Sequence, residues 1–222
     1  MVVVELDDSG GRILRIDEHL ADDELVPVLL DPGLDKVGID APFGWPTPFV
    51  EALRIYAARG EWPEVVTREL MFRATDFAVR ELTGRWPLSV STSFIAFIAI
   101  RCARLLSELA RQGQPVQRDG SGKIAEVYPA AALRRWGLVA TGYKGDSPTA
   151  RALRRELAGA VAGGFSVGLD EESLRAFEMS DHKLDAFVAA LVAVACARGM
   201  TIRPSPAQSE LALSEGWIHL PA

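Results

Sequence analysis

The sequence predicts an α/β fold, and three observations carry that expectation. Two β-branched runs, residues 2–6 and 12–17, flank the turn signal Asp7-Asp8-Ser9-Gly10-Gly11 and read as a β-hairpin. Two further short apolar runs, residues 36–40 and 123–128, have the composition of buried strands. Long stretches with apolar residues at helical spacing separate them, and strands divided by helices imply crossover connections.

Each element can be justified in order. Asp22 or Asp23 can open a helix reaching residue 30, which Pro32-Gly33 stops. After the strand at 36–40, the prolines of Ala41-Pro-Phe-Gly-Trp-Pro46 forbid a ladder and force a loop. Helices are expected over 48–58, 64–82 and 92–112, with Gly60, Gly84 and Gly113 as stops. Gly120-Ser-Gly122 turns the chain into the strand at 123–128, and Pro129 opens the next helix. Helices follow over 148–161, 171–177 and 181–198, the last with Ser180 as N-cap and Gly199 past its end. Residues 217–220 can add a short strand. On the hairpin, Leu14 and Ile16 are expected on one face and Ile13 on the other.

Composition narrows the classes. The 222 residues are 49% hydrophobic and 24% charged, which excludes global disorder. No repeat or low-complexity linker interrupts them, so one domain over residues 1–222 is expected. Cys102 and Cys196 lie in apolar helical stretches and read as buried, inert thiols of a reducing compartment. The longest apolar stretches, 94–100 and 186–197, fall short of the ~18–20 residues a membrane span needs. The start has neither a basic n-region nor a small-residue cleavage site, so the expected location is cytoplasmic.

Charge is uneven. The net −6 divides into −8 over residues 1–100, +7 over 101–155 and −5 over 156–222. The basic middle is a candidate anion-binding face, with nucleic acid as its partner, or simply solvated helix surface.

The chemistry-bearing candidates are mostly acids. Asp40 ends a buried strand, where ligands of open α/β sheets bind. Asp181 and Asp185 share a helix face, and Asp185 sits in an otherwise apolar helix, where a carboxylate needs a partner or a metal. Glu126 lies inside a short strand, where an acidic residue needs a partner or an exposed face. Converging carboxylates suit Mg²⁺ or Mn²⁺, which prefer oxygen ligands. Arg73 and Asp76, three apart, read as a surface pair or a substrate contact. Lys144, beside Tyr143 in the loop Gly142-Tyr-Lys-Gly145, could meet a phosphate or merely solvent. There is no P-loop, no Gly-x-Gly-x-x-Gly, no zinc-type histidine spacing and no Gly-x-Ser-x-Gly elbow.

Six segments occur in an order that resembles a known family. They are Val37-Gly-Ile-Asp-Ala-Pro-Phe-Gly-Trp-Pro46, Arg73-Ala-Thr-Asp76, Glu126-Val-Tyr-Pro-Ala-Ala131, Tyr143-Lys-Gly145, Asp181-His-Lys-Leu-Asp-Ala186 and Glu215-Gly-Trp-Ile218. Together they resemble domain of unknown function family 429, regarded as predicted nucleases of ribonuclease-H-like fold. The resemblance implies a five-stranded mixed sheet: a three-strand antiparallel meander, then two parallel strands reached through helices. It implies that Asp40 and Asp185, with Asp181, hold divalent metal, and that Glu126 is an additional acid of the site. It also implies an opening strand bearing Gly-Ile/Val-Asp-Gly, which this sequence lacks, so the domain is expected to be short by about one strand.

The function expected on these grounds is a Mg²⁺- or Mn²⁺-dependent nuclease. Asp40, Glu126, Asp185 and Lys144 would be catalytic, and Arg73, Asp76, Tyr143 and Lys144 would face substrate. The rivals are a binding or scaffold protein that kept the fold without the metals and, more remotely, an actin-like phosphotransferase.

Overall fold

The computed structural model describes residues 1–7 and 9–222. β1 (Val2–Asp7) and β2 (Gly10–Ile16) pair antiparallel as the expected hairpin. Asp8 of the expected turn signal lies outside the described residues. The register slips between Val3, opposite Arg15, and Val4, opposite Ile13, which leaves Leu14 as an extra residue. That bulge sets both Ile13 and Ile16 against the core and leaves Leu14 52% exposed. The expected grouping of Leu14 with Ile16 is therefore corrected, because one inserted residue breaks the period of two.

Beyond the hairpin, β2 pairs parallel with β5 (Val167–Gly168), giving the order β1-β2-β5. A second sheet, in the order β3-β4-β6, is wholly parallel and contains β3 (Val37–Ile39), β4 (Ile124–Val127) and β6 (Ile218–His219). The expected α/β class, antiparallel and parallel strands flanked by helices, is what the structure shows; among the described residues the strands form two three-stranded sheets and not the single five-stranded sheet that the resemblance implies. The reason lies at the edges: no described strand pairs with the outer side of β1 or of β3, so no ladder joins the two.

Ten helices surround the strands among the described residues. α1 (Asp22–Leu30) starts where the Glu24 carboxylate accepts the Ala21 N–H at 2.8 Å. α2 (Thr47–Arg59) ends at Gly60, whose φ of 72° lies in the left-handed region. The single helix expected over 64–82 is corrected to α3 (Thr67–Met71) and α4 (Ala74–Thr83). The chain extends at Phe72-Arg73 between them, which turns the Arg73 guanidinium inward to buried carboxylates. α5 (Ile95–Arg111), α6 (Pro129–Arg135), α7 (Pro148–Gly164), α8 (Glu171–Met179) and α9 (Asp181–Ala197) fall where the periodicity set them. α10 (Ser209–Glu215) was not foreseen. No helix among the described residues is long and apolar enough to cross a membrane.

α9 is the central support. Leu184, Phe187, Val188, Leu191 and Val192 are fully buried in a cluster that also takes in Val2 of β1 and Val127 of β4. The other face of β3 and β4 meets α1 and α5, where Val26, Leu29, Leu105, Leu106 and Leu109 gather around Ile124. β3 alternates accordingly: Val37 and Ile39 face that second cluster, and Gly38 faces α9. A Cβ on Gly38 would lie 2.5 Å from the Ala189 carbonyl oxygen. Gly38→Ala is therefore expected to cost about 1–3 kcal/mol in chemical denaturation, because helix and strand must separate.

Candidate functional site

β3 ends by delivering Asp40 to the start of α9. Ser180 caps that helix, its Oγ accepting the Lys183 N–H at 3.2 Å. Asp185 projects from the second turn. Its Oδ1 accepts the Tyr143 hydroxyl at 2.9 Å, and its Oδ2 pairs with the Lys144 ammonium. One turn earlier, Asp181 Oδ2 accepts the Gly145 N–H at 3.2 Å. The loop carrying Tyr143 and Lys144 is itself held by Arg154 of α7, only 1% exposed. Arg154 Nη1 donates to the carbonyls of Tyr143 at 2.7 Å and Gly145 at 2.6 Å, and Nε donates to the Glu178 carbonyl at 2.9 Å.

Electrostatics single out this group. Burial pushes the Asp40 carboxyl from 3.8 up to about 7, with Asp185 and Glu126 adding and Lys144 opposing. Burial also raises Asp185, although Lys144 and the Tyr143 hydroxyl hold it down in part. Tyr143 is raised by burial and by the neighbouring Asp185. Two carboxylates that resist ionising together form a site for positive charge.

Beside it lies a closed polar network. Glu126 of β4, 2% exposed, receives Arg73 Nη2 at 2.8 Å and Nη1 at 3.0 Å, and the Phe43 N–H at 2.9 Å. Arg73 also donates to Asp76 through Nη2 at 3.0 Å and Nε at 3.2 Å, and to the Glu215 carbonyl at 3.1 Å. The Glu215 carboxylate accepts the N–H groups of Thr47 and Ala74, both at 2.7 Å, so it caps the starts of α2 and α4 together. Thr75, fully buried, takes the Ile218 N–H at 2.8 Å and ties α4 to β6.

Of the candidates read from the sequence, Asp40, Asp181, Asp185, Tyr143 and Lys144 are thus brought together. Glu126 adjoins them but spends its oxygens on Arg73 and Phe43. Arg73 and Asp76, 2% and 0% exposed, turn their polar atoms into the network and away from any open face, so the surface pair is corrected to a buried one. Sequence reasoning missed Arg154, which looks like one more arginine of a basic helix, and the capping role of Glu215. The first left no signal; the second was at hand in the segment Glu215-Gly-Trp-Ile218.

Two other readings meet the structure here. The basic middle is largely committed internally: Arg101 pairs with Asp22, Arg111 with Glu108 and Arg155 with Glu171, while Arg118 and Arg135 donate to backbone carbonyls. Cys102 is buried, and burial pushes its thiol up to about 12. Cys196 is only half-buried; burial raises its thiol, but the bond to His219 Nδ1 at 3.4 Å, the charges of His219 and Lys36 and a bond to Thr201 together outweigh that and lower it.

Among the described residues no group of three or more His, Cys, Asp or Glu is arranged to hold an ion. The donors present are nonetheless of the right kind for a hard cation. Asp40 and Asp185 offer carboxylate oxygens, and Mg²⁺ commonly takes one or two carboxylates and keeps waters.

The model of the family described as "Protein of unknown function (DUF429)" matches residues 1–209. Neither the comparison with curated proteins nor that with solved structures gave a match. With nearly its whole length matched, this chain belongs to the DUF429 family.

Proposed function

We propose that this chain is a Mg²⁺- or Mn²⁺-dependent phosphodiester hydrolase acting on nucleic acid, built on a ribonuclease-H-like core. The observation that carries the reading is the placing of Asp40 and Asp185 on one cavity where a strand ends: Asp185 is 9% exposed, Asp40 is exposed, and the charge of Asp185 adds to the raised proton affinity of Asp40. Asp40 and Asp185 would hold the ion, with Asp181 one helical turn away. When bound, the ion supplies charge neutralisation at the phosphate and an activated water.

The chain's own groups then have definite tasks. Tyr143 orients Asp185 through its hydroxyl. Lys144, its side chain 54% exposed, can leave Asp185 for a phosphate oxygen and act there as a point charge. Arg154 fixes the loop that bears both. Glu126, through the Phe43 N–H, fixes the loop that follows Asp40, and Arg73 keeps Glu126 in place.

With single- and double-stranded DNA and RNA as substrates, the purified chain is expected to cleave at least one of them in Mn²⁺. Asp185→Asn should return cleavage to background. Failure to cleave any of the four in Mg²⁺ or Mn²⁺ defeats the hydrolase reading. A second reading, a non-catalytic binding protein, is favoured by one observation: the Lys144 ammonium sits on Asp185 where a cation would. It predicts retention of nucleic acid without cleavage and without metal dependence.

A further inference from the structure

We propose that Cys196 and His219 form a reactive thiol–imidazole pair, a modification site at which Cys196 takes up small disulfides as mixed disulfides. The pair stands apart from the carboxylates: Cys196 lies in the last turn of α9, about 16 Å along the helix from Asp185.

Three segments bring the group together. Cys196 is half-buried, and residues 197–200 that follow it are exposed. His219 belongs to β6, which pairs with β4. Thr201 is drawn beside β6 by an antiparallel bridge to Pro221 and by the Ile202 N–H, which donates to the Leu220 carbonyl at 2.9 Å. As a result His219 Nδ1 lies 3.4 Å from Cys196 Sγ and 2.9 Å from Thr201 Oγ1.

The other ring nitrogen determines the tautomer. His219 Nε2 lies 2.9 Å from the Asp119 carbonyl oxygen. A carbonyl only accepts, so Nε2 carries the proton and Nδ1 keeps its lone pair. The loop that supplies this carbonyl sits tightly on the ring. A Cβ on Gly120, whose φ is 73°, would lie 2.2 Å from Nε2. At 4% exposure the ring is held in this orientation. Nδ1 is therefore the base, and the Cys196 thiol is within reach of it.

A base within hydrogen-bond reach of a nucleophile, itself oriented by a third group, is the arrangement that activates thiols. Once Sγ has given its proton to Nδ1, the imidazolium donates to the Asp119 carbonyl from Nε2 and to the thiolate from Nδ1. The Thr201 hydroxyl is then free to donate to sulfur as well. Lys36, its ammonium held by the carbonyls of Gly120, at 2.6 Å, and Gly122, adds a second positive charge. Burial and the negative end of α9 oppose the thiolate, and the partners outweigh them: the Cys196 thiol is lowered while that of Cys102 is pushed up to about 12.

The exchange needs no further reagent. The thiolate attacks one sulfur of the disulfide, a new S–S bond forms as the old one breaks, and the departing thiolate takes the proton held on Nδ1. One thiol and one disulfide become one mixed disulfide and one thiol.

The test treats the full chain with oxidised glutathione at about 1 mM and pH 7, and locates the adduct by peptide mass. Cys196 is expected to react at least tenfold faster than Cys102, and faster than either cysteine in the urea-unfolded chain. His219→Gln, which keeps an amide donor and removes the base, should slow Cys196 at least fivefold. Should that variant not fold, the wild-type chain decides alone: alkylation of Cys196 by iodoacetamide should rise with pH through a midpoint below the ordinary thiol value of about 8.5. The proposal is overturned if Cys196 reacts no faster folded than unfolded, if folded His219→Gln reacts as fast as wild type, or if the midpoint stands at 8.5 or above.

Discussion

Arg73→Met lowers the free energy of unfolding by about 3–5 kcal/mol, the cost of leaving buried charge without its partner. Arg73 is 2% exposed and, among the described residues, is the only cation in contact with Glu126 and Asp76, which are 2% and 0% exposed. Its removal strands both carboxylates and frees the Glu215 carbonyl. The loss spreads because the same network caps α2 and α4 through Glu215 and holds the loop after Asp40 through the Phe43 N–H. Arg101→Ala, which breaks an exposed pair with Asp22, serves as the control and should cost about 0–1 kcal/mol. In Arg73→Met/Glu126→Gln the two changes should cost less than their sum, because neutralising Glu126 removes one of the stranded charges. Urea unfolding of wild type, Arg101→Ala, the two single variants Arg73→Met and Glu126→Gln, and their double variant checks this; equal effects of Arg73→Met and Arg101→Ala would refute the network's role.

Asp40→Asn removes a penalty that the wild-type chain carries above neutral pH. Burial first, then Asp185, raises the Asp40 carboxyl from 3.8 to about 7. A group with a higher pKa folded than unfolded favours the folded state while it is protonated. Its contribution is whole below about pH 4 and is lost as pH rises through 7. The raised value sets the direction of the loss between pH 4 and 8, and solvent at the exposed Asp40 side chain screens its size. Asparagine keeps the shape without the charge, so the stability difference, variant minus wild type, should grow from pH 4 to pH 8. A difference that stays flat over that range would show that Asp40 ionises freely.

Much of this arrangement is legible in the sequence because it follows from local rules. Pro129 opening a helix, Ser180 capping α9 and the Gly60 stop are short-range signals, and the structure keeps them. Asp185 declared itself as a carboxylate in an apolar helix, and Asp40 as an acid at a strand end. What stayed hidden depends on partners far away in the chain. The break between α3 and α4 arises because Arg73 turns toward Glu126, 53 residues later, and no periodicity within 64–82 records that pull. The bulge at Leu14 is a matter of pairing register, decided by β1 and invisible in β2 alone. Arg154 earns its place through carbonyl oxygens, which every residue possesses, so its sequence neighbours carry no mark of it. The division into two sheets reflects edges left unpaired, a property of the assembled strands.

The central claim is that Asp40 and Asp185 form a seat for a divalent cation, and calorimetric titration with Mn²⁺ near pH 6 tests it most directly. At that pH Asp40 is mostly protonated, so binding should be saturable and should release close to one proton, seen as heats that vary with the ionisation enthalpy of the buffer. Asp185→Asn and Asp40→Asn should each abolish it. Absence of saturable binding to the wild-type chain, or binding that survives both substitutions, would contradict the account.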